Sequence, residues 1–179
     1  RSYLIRNFST NWTTFIPATH AVSNSTAKYD GTVGGAPYKY NSTPLDHGTV
    51  YVVAGNAGAN NSSTTNFGAY AFPWAVATPG VFYFEVEDNR LDAKMLRSNN
   101  TIFDQFTMMK DVNKTTVYNI ILGQSQILNA SWPAANGTFV WTGTGASGTN
   151  RSTTVTPATV GTFVYTVADN NNGGLLDNI

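Results

Sequence analysis

The two histidines, His20 and His47, are the side chains in this sequence most suited to metal binding or proton transfer. They lie 27 positions apart, and Asp46 beside His47 is their only acidic neighbour at metal-ligand spacing. Cysteine is absent, which excludes disulfides, thiol nucleophiles and zinc thiolate sites. Metal-binding motifs need denser clusters of ligands than this. We therefore expect both histidines to lie in solvated loops, and we assign no metal ligand to this chain.

A group of acidic residues could in principle perform general acid–base catalysis. Glu85, Glu87 and Asp92, however, fall on the polar positions of alternating sequence, where side chains of a strand point to solvent. We therefore expect a solvated strand face. No serine or threonine has a visible histidine–carboxylate partner, so no nucleophile is assigned.

The charge balance narrows the range of partners. The 10 basic and 10 acidic residues give a net charge of zero, and only 11% of residues are charged. Nucleic-acid binding through phosphate neutralisation needs a basic excess, so no nucleic-acid partner is expected. The longest apolar runs are far shorter than the roughly 20 residues needed to cross a bilayer, so no membrane span is expected either.

The elements that would position these side chains are predicted to be mainly β. Residues 6–48 are irregular and loop-rich, and a short apolar run at 49–54 follows. Residues 81–87 and 90–97 form a predicted hairpin around Asp88 and Asn89, and residues 103–109 add a third strand. In the second strand Leu91, Ala93 and Met95 are expected to be buried, and Asp92 and Lys94 to be solvated.

The last 65 residues have a different pattern and predict a second module. Nine of the ten basic and eight of the ten acidic residues precede position 115, so we place a boundary there and expect domains at 1–114 and 115–179. Short alternating runs about ten residues apart predict a small immunoglobulin-like β-sandwich, whose final strand is either complete or cut short. The runs are 116–122, 126–132, 138–142, 152–156 and 162–168, and the predicted core is Ile127, Trp141, Val155, Phe163, Tyr165 and Val167.

Several segments in consistent order carry a family resemblance. They are RSYLI (1–5), GTVYVVAGNAG (48–58), FYFEVE (82–87), NRLDAK (89–94) and DQFTMMKDVNK (104–114). Together they resemble the C-terminal part of bacterial secreted metallophosphoesterases related to purple acid phosphatases. Residues 115–179 resemble the sandwich modules appended to exported proteins of Bacteroidetes-type bacteria, chiefly through WTG (141–143) and FVYTV (163–167).

The resemblance implies phosphate monoester hydrolysis by a dinuclear metal centre of the Fe, Zn or Mn type. In that family a His-x-His ligand pair lies a few residues before the segment that matches Arg1, so every metal ligand would precede this chain. The chain alone is then expected to be inactive, and the rest of the parent polypeptide is its expected partner. Arg1, Tyr3, Arg6 and His47 are the candidates for substrate-proximal positions, although a structural role is the commoner one for such residues.

An exported location, secreted or at the cell surface, is implied as well. The alternative function is that of a non-catalytic surface β-protein for adhesion, glycan binding or assembly. The residues upstream of Arg1 would distinguish the two, because His-x-His there favours the enzyme. Glycosylation is possible at Asn-x-Ser/Thr sequons, which occur at Asn7, Asn11, Asn24, Asn41, Asn60, Asn61, Asn99, Asn113, Asn129, Asn136 and Asn150.

Overall fold

The computed structural model describes residues 1–8, 11–42, 48–54, 71–133 and 137–179. The fold is mainly β, as predicted, and the helices are a 3₁₀ turn at Trp12–Thr14 and α1 at Pro17–His20. Neither is long and apolar enough to cross a membrane, and the rest of the described chain holds no helix that is. The strands are β1 Leu4–Ile5, β2 Tyr38–Tyr40, β3 Thr49–Val50, β4 Gly80–Glu87, β5 Arg90–Arg97, β6 Ile102–Lys110, β7 Gln126–Asn129, β8 Phe139–Thr142, β9 Ser152–Val155, β10 Thr166–Asp169 and β11 Leu176–Asn178.

The first region is built on a four-stranded sheet in the order β2-β6-β5-β4. The predicted hairpin is confirmed: β4 and β5 pair antiparallel from Gly80 opposite Arg97 to Glu87 opposite Arg90. Asp88 takes a left-handed φ of 50° in the intervening turn, a conformation that aspartate tolerates better than most residues. The predicted third strand is β6, and β2 joins it in parallel.

The two faces of β5 are less distinct than their alternation predicts. Ala93 is fully buried, but Leu91, Met95, Asp92 and Lys94 are all half-buried. Polar side chains cover the expected solvent face, because Asp92 accepts hydrogen bonds from its neighbours on β5 and β6. The strand therefore carries a hydrogen-bonded polar layer where a fully solvated one was expected.

The second region contains the sheets β8-β10-β11 and β7-β9. Four of the six predicted core residues, Trp141, Val155, Tyr165 and Val167, are buried, and Phe163 packs against them half-buried. An immunoglobulin-like topology stays a prediction.

The prediction that Ile127 belongs to this core is wrong. Ile127 is 56% exposed, and its neighbour Leu128 is buried. Successive residues of a strand point to opposite faces, and Leu128 has the same parity as buried Ala130 and Trp132. The run of apolar residues at even positions therefore sets which face is inside.

Two of the predicted strands are wrong or displaced. Residues 116–122 form no strand, and the run predicted at 162–168 begins only at Thr166, in β10. Thr116 and Tyr165 form backbone hydrogen bonds with Asn178 and Ile179, whereas residues 117–122 and 162–164 pair with no strand of the described chain.

The two regions share a hydrophobic cluster. Tyr29, Met109 and Val112 from the first region pack with Trp132 and other core residues of the second. The Tyr29 hydroxyl also donates to Asp169 Oδ2 at 2.6 Å, and both residues are buried. Each sheet is built from strands on one side of the predicted boundary at 114, but the hydrophobic cluster contains residues from both sides.

Candidate functional site

The start of the chain is held by a separate two-stranded sheet, β1-β3. Leu4 and Ile5 of β1 pair antiparallel with Val50 and Thr49 of β3. Gly48, just before β3, has a φ of 82°, and a Cβ there would lie 2.6 Å from the Ile5 carbonyl oxygen. Only glycine fits so close an approach, and it lets β3 reach the chain's first residues.

Arg1 forms a buried ion pair with Asp104 of β6. Its Nε donates to Asp104 Oδ2 at 2.6 Å and its Nη2 donates to Oδ1 at 3.1 Å, a two-pronged arrangement that fixes the guanidinium plane. Nη2 also donates to the carbonyl oxygens of Thr26 at 2.7 Å and Gln105 at 3.2 Å. Arg1 is 6% exposed and Asp104 is 4% exposed. These contacts make Arg1 an internal anchor and direct its donors away from solvent.

Aromatic rings complete the surroundings of the guanidinium. Arg1 Cζ lies 3.6 Å from the ring centroid of Trp74 and 5.1 Å from that of Phe106. The Trp74 carbonyl oxygen accepts a hydrogen bond from the Arg1 backbone nitrogen at 2.7 Å. Burial raises the pKa of the nearby Tyr38 phenol, and the positive charge of Arg1 partly offsets this effect. The aromatic rings and Asp104 thus surround the guanidinium cation of Arg1, which is part of the chain itself.

Tyr3 and Arg6 lie along the same segment but in different surroundings. Tyr3 is half-buried, edge-on to Trp74 with centroids 5.2 Å apart and stacked on Phe15 at 6.3 Å. Arg6 is exposed, and its backbone N–H donates to the His20 carbonyl oxygen at 2.9 Å. Trp74 therefore brings Arg1 and Tyr3 together, and Arg6 lies near the end of α1.

The surroundings of His20 differ from the solvated loop that was expected. His20 ends α1, where its Nδ1 accepts a hydrogen bond from the Ile16 N–H at 2.9 Å. Its ring packs against Phe8 at 5.1 Å and Phe15 at 5.6 Å between centroids. His20 is thus half-buried in an aromatic cluster, and His47 lies outside the described residues.

Sequence reasoning missed Asp104 and Trp74, the two residues that hold Arg1. A signal for Asp104 was available: it is the one acidic residue within the otherwise uncharged run 101–109 of a predicted strand. A carboxylate in a buried strand needs a cation or several donors. No comparable pattern identifies Trp74, since its contact with Arg1 depends on the fold.

A polar cavity of about 400 Å³ lies between residues 39–42 and residues 111–114. Asp111 accepts hydrogen bonds there from the Ser42 hydroxyl and backbone N–H, both at 2.6 Å, and these bonds lower the pKa of its carboxyl group. Burial lowers the pKa of the Lys39 amine, which donates to the Gly174 carbonyl oxygen at 2.6 Å. Asp111 and Lys39 are thus engaged by the protein itself.

Within the described ranges, no group of three or more His, Cys, Asp or Glu side chains could hold a metal ion. The sequons that fall in these ranges all have an exposed asparagine, namely Asn7, Asn11, Asn24, Asn41, Asn99, Asn113, Asn129 and Asn150. Asn60, Asn61 and Asn136 lie outside the described residues.

Comparisons with protein-family models, with curated proteins and with solved structures find no match to this chain. The relation to metallophosphoesterases therefore stays a prediction that rests on the segments quoted above.

Proposed function

We propose that this chain is the C-terminal part of an exported, metal-dependent phosphoesterase whose metal ligands precede Arg1. Residues 1–114 supply the sheet that closes the catalytic domain, and residues 115–179 form a β-sandwich appendage. The parent enzyme hydrolyses phosphate monoesters at a dinuclear centre of the Fe, Zn or Mn type.

The observation that carries this proposal is the buried pair of Arg1 and Asp104. In the resembling family the last metal ligands lie a few residues before this position. Ligand geometry depends on rigid support from the surrounding structure. An arginine fixed on a sheet strand by a two-pronged ion pair supplies such support to the segment that carries the ligands. The function of this chain in catalysis is thus positioning, and none of its residues is assigned as catalytic.

The test begins with the reading frame upstream of the Arg1 codon, which should encode a His-x-His motif. A longer protein that includes this motif should hydrolyse an aryl phosphate in the presence of Fe, Zn or Mn. The 179-residue chain alone should give no turnover above a metal-free control. A longer protein without metal-dependent hydrolysis, or an active 179-residue chain, contradicts the proposal.

A matched pair of variants separates positioning from general stability. In the longer protein, Asp104→Asn should weaken metal binding because Arg1 loses its carboxylate partner. Glu85→Gln removes a carboxylate from the exposed pair with Lys94 and should leave metal binding unchanged. Metal affinity measured by titration at a temperature where both variants are folded distinguishes them. Equal metal affinities would show that the anchor does not support the ligands.

The alternative function, assembly of a non-catalytic surface protein, is favoured by a different observation. Residues 115–122 and 157–165 border an open groove whose lining side chains carry no charge.

A further inference from the structure

Three consecutive asparagines, residues 170–172, begin the loop between β10 and β11. The second and the third of them reach across to the first region. Asn171 Nδ2 donates to the Tyr29 carbonyl oxygen at 3.4 Å, and Asn172 Nδ2 donates to the Gly31 carbonyl oxygen at 2.6 Å. Side-chain amides of this loop therefore join the two regions at the surface of the molecule.

Asn172 differs from the other asparagines of the described residues because a glycine follows it. Its side chain is exposed, and its φ of 54° is left-handed, a conformation that asparagine tolerates. Gly173 has no Cβ, so no side chain shields its backbone nitrogen from the amide of Asn172. Within the described chain, the Gly173 N–H has no hydrogen-bond acceptor. The nitrogen of Gly173 is therefore free to approach the side chain that precedes it.

These two groups are the reactants of asparagine deamidation. The Gly173 nitrogen attacks Asn172 Cγ, and a new C–N bond forms as the bond from Cγ to Nδ2 breaks. Ammonia leaves with the proton that the Gly173 nitrogen loses, and a five-membered succinimide ring remains. Solvent water then opens the ring at either carbonyl and leaves aspartate or isoaspartate. The net reaction consumes water and releases ammonia, with no change in oxidation state.

The product carries a carboxylate at the position where the loop now has an amide. A carboxylate has no N–H to donate to the Gly31 carbonyl oxygen, so the 2.6 Å hydrogen bond is lost. Other carboxylates are close by, since Asp169 Oδ2 lies 2.5 Å from where a Cβ of Gly173 would be, and Asp30 precedes Gly31. A new negative charge beside these groups is unfavourable. Deamidation therefore weakens the contact of this loop with residues 29–31.

We infer that Asn172 is a site of spontaneous deamidation in the folded chain, and that the reaction releases the β10–β11 loop from residues 29–31. The hydrogen bond from Asn172 to Gly31 is exposed, so local opening frees the amide to react. Modified chains accumulate with time, because the released ammonia is lost to solvent. This inference goes beyond the phosphoesterase proposal and does not depend on it.

The experiment keeps the folded 179-residue chain in mildly alkaline buffer and follows its asparagines by tryptic peptide mapping with mass spectrometry. Deamidation appears as the mass increase from replacing an amide NH₂ by OH, and isoaspartate as a separate chromatographic peak. Asn172 should react at least about tenfold faster than Asn171, which precedes a residue with a side chain. Cleavage after Arg151 separates Asn172 from Asn136, the other asparagine that a glycine follows. No reaction at Asn172, or reaction only in chain unfolded by urea, overturns the inference.

A pair of exposed asparagines provides matched variants for the effect of the product. Asn172→Asp and Asn100→Asp add the same charge at left-handed positions, since Asn100 has a φ of 63° in the turn between β5 and β6. Only Asn172→Asp removes a donor from the contact between the regions. It should speed amide exchange at Tyr29 and Asp169 by at least about fivefold, as measured by NMR, and Asn100→Asp should leave both rates unchanged. Equal rates in the two variants would show that deamidation does not release the loop.

Discussion

The two regions of the molecule satisfy their buried carboxylates in different ways. In the first region, Asp104 is paired with the guanidinium of Arg1. In the second region, Asp177 is only 2% exposed and accepts hydrogen bonds from the backbone N–H groups of Lys114 and Ser131 and from the Ser131 hydroxyl. The first region uses an opposite charge, and the second uses neutral donors.

This difference follows from composition and has structural consequences. Arg151 is the only basic residue after position 114, and it lies on the surface paired with Asp88 of the first region. A region so poor in charge fixes its chain through backbone donors and apolar packing. Where a neighbouring strand is lacking, it leaves an uncharged groove.

The substitution with the largest expected effect on stability tests whether the two regions unfold independently. Trp132 is fully buried, stacks on Phe139 at 5.7 Å, and belongs to the cluster that includes Tyr29 and Met109. Trp132→Ala should lower the free energy of unfolding by about 3–5 kcal/mol. Since the cluster is shared, unfolding by denaturant should remain a single transition by both circular dichroism and fluorescence.

The matched control for this change is Ile127→Ala. Ile127 is exposed, and substitutions at such positions usually alter stability by less than about 0.5 kcal/mol. Two separate transitions in Trp132→Ala, with the first region still folded, would show that residues 1–114 fold independently.

The next largest effect concerns the buried ion pair of Arg1 and Asp104 in the first region. Asp104→Ala leaves the Arg1 guanidinium buried without its counter-ion, which should cost about 3–5 kcal/mol of stability. Glu85→Ala removes one partner of an exposed pair with Lys94 and should cost no more than about 1 kcal/mol. Urea unfolding of both variants measures the contrast. Similar losses in the two would mean that the buried pair contributes no more than a surface one.

The sequence predicted the first sheet well because its information is local. The hairpin from β4 to β5 depends on two alternating runs and the Asp88-Asn89 turn, all within a short stretch of chain. The partner of Arg1 was not predictable in the same way, since Asp104 lies 103 positions away. Only the fold brings the two together.

The second region shows where local patterns mislead. Residues 116–122 have the composition of a strand, yet a strand also needs a partner for its backbone, and in the described chain only Thr116 has one, at Asn178 of β11. Ile127 and Leu128 are both apolar, so the pair itself does not decide which is inside. Ala130 and Trp132 decide it, through their shared parity with Leu128.

A smaller effect measures how strongly the regions are coupled. Tyr29→Phe leaves the buried Asp169 carboxylate without its 2.6 Å hydrogen bond, which should cost about 1–3 kcal/mol. Asp169→Asn and the double variant complete a double-mutant cycle. The interaction energy should be at least about 0.5 kcal/mol, since the two side chains are in contact. Strict additivity would show that this contact does not couple the regions.

The smallest expected effect is the pH dependence contributed by Asp111, which lies at the junction. Its hydrogen bonds from the Ser42 hydroxyl and, next, the Ser42 N–H lower the pKa of this carboxyl group in the folded state. The unfolded chain therefore binds the proton more tightly, and stability falls as the pH is lowered. The contribution is present above the ordinary pKa of aspartate and is lost as the pH falls through the folded value.

Asp111→Asn removes this titration. The loss of stability between about pH 6 and about pH 3 should therefore be smaller in the variant than in the original chain. Asp30→Asn is the matched control, because hydrogen bonds to Thr32 lower the pKa of Asp30 within its own loop. If the junction transmits strain between the regions, only Asp111→Asn should also change the exchange rates of amides in β11. The carboxylate of Asp111 bonds to Ser42, whereas β11 is attached nearby through Asn113, whose Oδ1 accepts from the Leu176 N–H at 3.0 Å. Unchanged exchange in β11 would mean that the hydrogen bonds of Asp111 stabilise the first region alone.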